Sequence, residues 1–314
     1  MSKPEHNVVP DGKSEAESNS FPAKTSLIWI LSALLALSVI VNIWGQLTSD
    51  KVGPSQYNVL RQHSLWQPLF TNHKPTLIVI GDLYFLSELD SDTKLVRAIR
   101  EYSVNNDNDL QNYLTKYPQK QDVINKAGSA FILKNSVFAL QHILPLFEQD
   151  KPATIKLASE LSPADLRDFN LIYIGLYKSL GLLDAYFQGS NFRLKKNTPA
   201  LFHKTTDKVY RITGQLHQEY TDYGSFAKFK GPSGNQVYLF AGFSDASIIQ
   251  MAKYLTNVDK LNSAEFVTYY PQGESLKTGF ELIFSASSFD RTDLDSNIVD
   301  SGTLDHKAIW SMPL

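Results

Sequence analysis

The order of apolar and polar positions divides the chain at once. One uninterrupted apolar run, Leu27 to Trp44, is 18 residues long, and no Asp, Glu, Lys or Arg falls between Thr25 and Ser49. As a helix it spans roughly 27 Å, about the hydrocarbon thickness of a bilayer. Trp29 and Trp44 stand near its ends, where amphipathic rings favour the headgroup level. A buried core helix is disfavoured, because the run is apolar all round and follows a polar tail with no fold of its own. The pattern predicts a transmembrane helix over 26–47 with the lipid bilayer as its partner.

After this run the apolar stretches become short and rich in β-branched and aromatic residues. Thr76–Ile80, Thr154–Leu157, Leu171–Ile174 and Val237–Ala241 read as strands buried on both faces. Helical segments alternate with them: Ser136–Phe147, which Pro145 should kink or end, then Leu176–Phe187 and Ser247–Leu255. Ser162-Pro163-Ala164-Asp165 is a helix start, with Ser at the N-cap, Pro at N1 and an acid in the first turn. Phe226–Lys230, a Gly231-Pro232-Ser233-Gly234-Asn235 turn and Val237–Ala241 read as a hairpin. Phe266–Tyr270 and Phe280–Phe284 read as further strands, and Asp290–Asp305, with five Asp, as a surface loop. The alternation predicts an α/β fold: one Rossmann-like three-layer domain with a mixed, mainly parallel sheet, preceded by the single membrane helix.

The predicted organisation is a disordered cytoplasmic tail (1–25), the membrane helix (26–47), a juxtamembrane stalk (48–75) and an extracytoplasmic domain (76–314). Within the stalk, Tyr57–Arg61 and Leu65–Phe70 are expected to form short helical turns that dock on the domain. No small-x-small cleavage site follows the apolar run, so an uncleaved signal anchor fits better than a signal peptide. Lys3, Lys13 and Lys24 precede it and Asp50, Lys51 and Arg61 follow, a weak bias toward a cytoplasmic N-terminus. The expected location is a bacterial inner membrane with the domain in the periplasm. The absence of cysteine removes disulfides, thiolate nucleophiles and cysteine-ligated metals. A formal net charge of -2 leaves no basic footprint for nucleic acid.

Three of the strands end in glycine: Gly81-Asp82, Gly175-Leu176 and Gly242-Phe243. Ligands in open parallel sheets bind beyond the carboxyl ends of strands, and glycine there admits tight turns and close approach. Gly81, Asp82, Gly175, Lys178, Ser179, Gly242, Ser244 and Asp245 are therefore the candidate ligand-binding residues, for a small anionic ligand or an envelope protein partner. The competing account of the glycines is strand-to-helix punctuation.

A catalytic alternative rests on Gly242-Phe243-Ser244-Asp245-Ala246, a serine between strand and helix as in a nucleophile elbow, with Ala246 in place of the second glycine. Asp290, Asp293, Asp295 and His306 follow in the acid–histidine order of that fold. Ser244 and Asp245 serve equally well as helix N-caps. Gly175-Leu176-Tyr177-Lys178-Ser179 lacks the full phosphate-loop spacing, and no G-x-G-x-x-G follows a strand, so no nucleotide cofactor is expected. The seven histidines are scattered without metal-binding spacing, and no metal site is expected. Asn191–Lys196 is basic and offers a contact for an acidic ligand, but a solvated strand edge accounts for it more readily.

The order of pieces over roughly 130–285 resembles an uncharacterised bacterial α/β domain family, membrane-anchored, Rossmann-like and extracytoplasmic. The resemblance is carried by Ser136–Leu140, Leu166–Gly175, Ser190-Asn191-Phe192, the hairpin into Phe240-Ala241-Gly242, and the helix ending Tyr254-Leu255-Thr256. It implies a sensing or binding module and supplies no substrate. The family carries small or polar residues after the glycine equivalent to Gly175, where this chain has Leu176-Tyr177. The function expected from the chain is a membrane-anchored binding, sensing or scaffolding module. The alternative is a serine hydrolase using Ser244 and His306.

Overall fold

The computed structural model describes residues 54–90, 92–147, 152–195, 198–215, 218–273, 279–289 and 292–311. The tail, the Leu27–Trp44 run and the first residues of the stalk lie outside them. No helix among the described residues is long and apolar enough to cross a membrane.

Two short helices come first, α1 (Pro54–Gln62) and α2 (Gln67–Thr71), followed by β1 (Thr76–Ile80). An insertion follows: β2 (Asp82–Leu83), β3 (Leu86–Leu89), β4 (Val96–Ile99), α3 (Asp107–Lys116), β5 (Ile124–Lys126) and β6 (Phe131–Ile132). The chain returns through α4 (Lys134–Ile143), β7 (Ala153–Leu157), α5 (Pro163–Asp168) and β8 (Asn170–Leu176). Next come α6 (Tyr186–Gly189), β9 (Phe192–Leu194), β10 (Ala200–His203), β11 (Val209–Arg211) and β12 (Thr213–Gly214). The hairpin strands β13 (Glu219–Lys230) and β14 (Gln236–Gly242) lead into α7 (Asp245–Leu255), α8 (Val258–Leu261) and α9 (Ala264–Tyr269). The last elements are β15 (Gly279–Phe289), β16 (Thr292–Thr303) and α10 (His306–Ile309).

The central sheet runs β16-β15-β13-β14-β8-β1-β7, with β12 added beside β13. It is mixed: β7, β1, β8 and β14 form a contiguous parallel core, while β13, β15 and β16 continue it antiparallel. Alternate residues feed two apolar layers, as the period of two along a strand requires. One face packs Ile78, Ile172, Phe226, Tyr238 and Phe240 against Trp66, Ile143, Ile248, Met251 and Leu255 from the helices. The other packs Val79, Leu171, Tyr173 and Leu239 against Leu166, Leu183, Tyr186 and Phe192.

The stalk residues from 54 onward belong to this packed body. Leu60, Leu65 and Trp66 are fully buried, and the Trp66 ring stacks on Tyr238 with centroids 5.5 Å apart. Its indole Nε1 donates to the Leu255 carbonyl at 2.8 Å. Ser162 caps α5 as expected, its hydroxyl accepting from Asp165 N while the Asp165 carboxylate accepts from Ser162 N. Such a cap contributes about 1 kcal/mol.

Several sequence expectations need correction. Phe266–Tyr269 lies in α9 and Tyr270 is its C-cap, not a strand: Ser263 caps the helix start, Phe266 and Tyr270 are buried four residues apart, and Val267 between them is exposed. Asp290–Asp305 is mostly β16, not a loop. Its ladder with β15 supplies what propensity lacks, Ser296 and Ile298 pointing inward while Asp295 and Asn297 face water. Charges on an outermost strand discourage edge-to-edge pairing. Leu176–Phe187 forms 3-10 turns at Tyr177–Ser179 and Gly181–Ala185 before α6, with Gly181 at a left-handed φ of 56°. β7 is a half-exposed edge strand rather than a fully buried one, because only β1 flanks it.

Candidate functional site

The three glycine turns sit side by side, on β1, β8 and β14, but close packing accounts for them. A Cβ on Gly175 would meet the Gly81 Cα at 2.7 Å and the Tyr173 hydroxyl at 2.6 Å. That hydroxyl donates to the Leu176 carbonyl of the same strand at 2.6 Å, which fixes it in the space beside both glycines. Gly242 likewise lets β14 approach Ser247 and Ile248 of α7. Beyond Gly81 stands the insertion rather than a helix N-terminus. Asp82 opens β2 and accepts from Ser159 N at 3.0 Å.

A cleft of about 1030 Å³ does lie beyond the carboxyl ends of β8 and β14. Leu176, Tyr177, Lys178, Gly242 and Phe243 line its sheet side. The segment 101–109 of the insertion forms one wall, and the chain from Leu180 to Lys204 the other. Of the eight residues named from sequence, Lys178 and Gly242 line it. Gly81, Asp82, Gly175, Ser179, Ser244 and Asp245 do not.

The cleft's cations come from three places. Lys178 follows β8, Arg193 and Lys195 belong to the basic stretch around β9, and Lys204 follows β10. The basic stretch read mainly as a solvated strand edge thus supplies two cleft cations. Lys204 Nζ is engaged by the carbonyls of Phe187, at 2.8 Å, and Gln188. Lys178 Nζ lies 5.6 Å from the centroid of Tyr102, on the insertion wall. The crowding of the walls, then the charge of Arg100, holds the Lys178 ammonium below the ordinary lysine value. Among the described residues no carboxylate forms an ion pair with any of these four cations. Asp184 is open to solvent on one side, yet desolvation within the cleft raises its carboxyl.

An aromatic floor underlies the cations. The Tyr177 ring meets Phe243 edge-on at 4.8 Å and Phe187 at 5.9 Å. Its buried hydroxyl faces Ser225, and among the described residues neither hydroxyl completes a well-formed hydrogen bond. Burial, reinforced by the charges of Asp222 and Glu281, keeps the Tyr177 phenol protonated.

Those two carboxylates are fully buried, and sequence reading missed both. Asp222 Oδ2 accepts from Ser244 Oγ at 2.8 Å and from Ser247 N at 2.9 Å, and Oδ1 accepts from Tyr223 N at 2.8 Å. The N-terminus of α7 is therefore capped by a carboxylate from a different strand, and Ser244 orients it rather than capping the helix itself. Glu281 accepts from Tyr186 and Ser190 on one oxygen and from Asn191 N and Nδ2 on the other. Burial raises both carboxyls, and their hydrogen bonds oppose the rise. A charged residue inside an otherwise apolar strand, as in Phe280-Glu281-Leu282, was the available signal, since such a group must find partners.

Ser244 and His306 are not brought together. His306 opens α10, whose end places Trp310 Nε1 on the Lys230 carbonyl at 2.8 Å. Lys230 pairs with Gln236 at the start of β14, whereas Ser244 follows its end. The length of that strand, roughly 20 Å, separates the two ends. No cluster of potential metal ligands occurs among the described residues. Comparisons with family models, curated proteins and solved structures find no match.

Proposed function

We propose that this chain is a single-pass membrane protein whose α/β domain binds a small anionic ligand in the cleft beyond β8 and β14. The observation that carries the reading is four cleft cations, Lys178, Arg193, Lys195 and Lys204, without ion-pair partners among the described residues. The cleft they line lies beyond the strand ends where open α/β sheets take ligands. The anchor is the Leu27–Trp44 run, with the N-terminus cytoplasmic and the domain extracytoplasmic. The domain acts as a sensing or scaffolding module and meets an envelope partner through its ligand-dependent state. The hydrolase alternative gains no support, since Ser244 is committed to Asp222.

A thermal-shift screen of the full chain in detergent against small carboxylates and phosphates tests the cleft. Ligand at about 100 times its Kd adds about 2.7 kcal/mol of stability. The shift should vanish in the Lys178→Met/Arg193→Met double variant. No shift with any anion removes the binding reading. Reporters fused to the C-terminus test topology: activity confined to a cytoplasmic reporter reverses the orientation.

A further inference from the structure

The anion reading can be taken to a ligand class, because the cleft's charge is sparse and its rim carries an exposed ring. Tyr102 is 75% exposed at the cleft wall. Its place on the cleft wall, rather than its exposure alone, makes it a contact surface, since an amphipathic ring offers a ligand both apolar area and a polar edge. The backbone that carries it is held in place, and its ring is faced by Arg100 at 5.4 Å and Lys178 at 5.6 Å. The Arg100 guanidinium donates to the carbonyls of Glu101 and Val104 and to Asn105 Oδ1, and Val104 is fully buried beneath. Asn105 Nδ2 donates to the Tyr102 carbonyl at 3.2 Å, and Asn105 N to Asp109 at 3.1 Å. A ring on so braced a segment loses little freedom on binding.

The charge count decides between classes. The cleft presents four cations and three carboxylates, Glu101, Asp109 and Asp184, a formal surplus of one positive charge. A nucleoside di- or triphosphate concentrates several negative charges and would meet those carboxylates. A polyhydroxylated ligand bearing scattered acids would instead donate hydroxyl protons to the carboxylates and place its acid among the cations. Gln188, Thr198 and Ser103 add further polar groups to the lining. The volume, about 1030 Å³, exceeds the need of a single sugar acid and suits a short chain.

We infer that the cleft binds an acidic saccharide, with Tyr102 stacking on a sugar face and Lys178 and Arg193 taking the carboxylate. This rests on the anion-binding reading above and goes beyond it.

Calorimetric titration of the full chain in detergent with trigalacturonate, maltotriose and ATP tests it. Trigalacturonate should bind, and maltotriose about 10-fold or more weaker, because it lacks the charge that Arg and Lys pair with. Tyr102→Ala should weaken trigalacturonate about 10-fold or more, as loss of an aromatic anchor does, at unchanged melting temperature. Tyr102→Phe should bind as the parent does, since the ring and not the hydroxyl is used. Lys178→Met/Arg193→Met should erase the preference for trigalacturonate over maltotriose. Binding of ATP without binding of trigalacturonate would overturn the saccharide class and leave the anion cleft standing. Absence of binding to all three would overturn both. Undiminished binding by Tyr102→Ala would overturn the platform.

Discussion

Lys228 makes the domain gain stability as the solution turns alkaline. The side chain lies near the end of β13, only 3% exposed, and reaches the turn between α1 and α2. Its Nζ donates to the Ser64 carbonyl at 3.0 Å and lies 5.7 Å from the Tyr238 ring centroid. No carboxylate pairs with it among the described residues. Burial pushes its pKa down to about 8, from an ordinary value of 10.5. The unfolded chain keeps this proton up to about pH 10.5, whereas the folded chain releases it near pH 8. Between those limits the unfolded state binds more protons, so stability rises with pH. Below pH 8 both states are protonated and the full cost, on the order of 3 kcal/mol, is present. Lys228→Met removes that cost but leaves the Ser64 carbonyl without this donor, worth about 1–2 kcal/mol. The variant should therefore be more stable than the parent by about 1–2 kcal/mol at pH 7. Its advantage should shrink and reverse as pH approaches 10. Urea unfolding at half-unit steps from pH 7 to 9.5 measures this as the difference between variant and parent, in which the onset of tyrosine ionisation in the unfolded chain, common to both, cancels. A variant less stable than the parent at pH 7, with the parent's pH slope retained, would refute the reasoning.

Gly175→Ala should cost about 1–3 kcal/mol, because the new methyl meets the Gly81 backbone, which cannot yield as a flexible side chain would. Urea midpoints measure it, and a neutral result would show that the strand ends are not close-packed. Ser244→Ala should cost about 1–3 kcal/mol, the usual cost of leaving a buried acceptor short of a donor, here Asp222. A serine-directed fluorophosphonate should leave the parent unlabelled, and labelling at Ser244 would restore the hydrolase reading. Asp222 and Glu281 have raised carboxyls, so their contribution is complete at acid pH and is lost as pH rises through the folded values. Asp222→Asn should flatten that part of the stability curve, and an unchanged curve would locate the titration elsewhere.

The parallel core was legible in the sequence because strands covered on both faces must be apolar throughout, as Leu171–Ile174 and Val237–Ala241 are. β16 was not, because its polar residues are held by a ladder to β15 that no local pattern announces. Phe266–Tyr270 looked like a strand on composition, and the signals that decided otherwise were the Ser263 cap and burial at a spacing of four. At the candidate site, Lys178 and Gly242 were legible as strand-end residues. The insertion wall was not, since Tyr102 and Lys178 become neighbours only when the 82–132 excursion folds back over the sheet. Asp222 was invisible as a cap because its helix starts 23 residues later, on another element.

The burial of α1 and α2 has a consequence for biosynthesis. Trp66 donates to Leu255, 189 residues onward, and Ser64 meets Tyr270, 206 residues onward. A ribosome adding about 5–20 residues per second needs roughly 10–40 s to supply those partners. Until that interval ends Leu60, Leu65 and Trp66 lack the α7 and Tyr270 partners that complete their enclosure. They are the first core residues to be made after the Leu27–Trp44 run and among the last to be enclosed. Nascent chains that stop short of α7 should therefore expose an apolar patch close to the start of the domain, and that patch is where a holdase would grip.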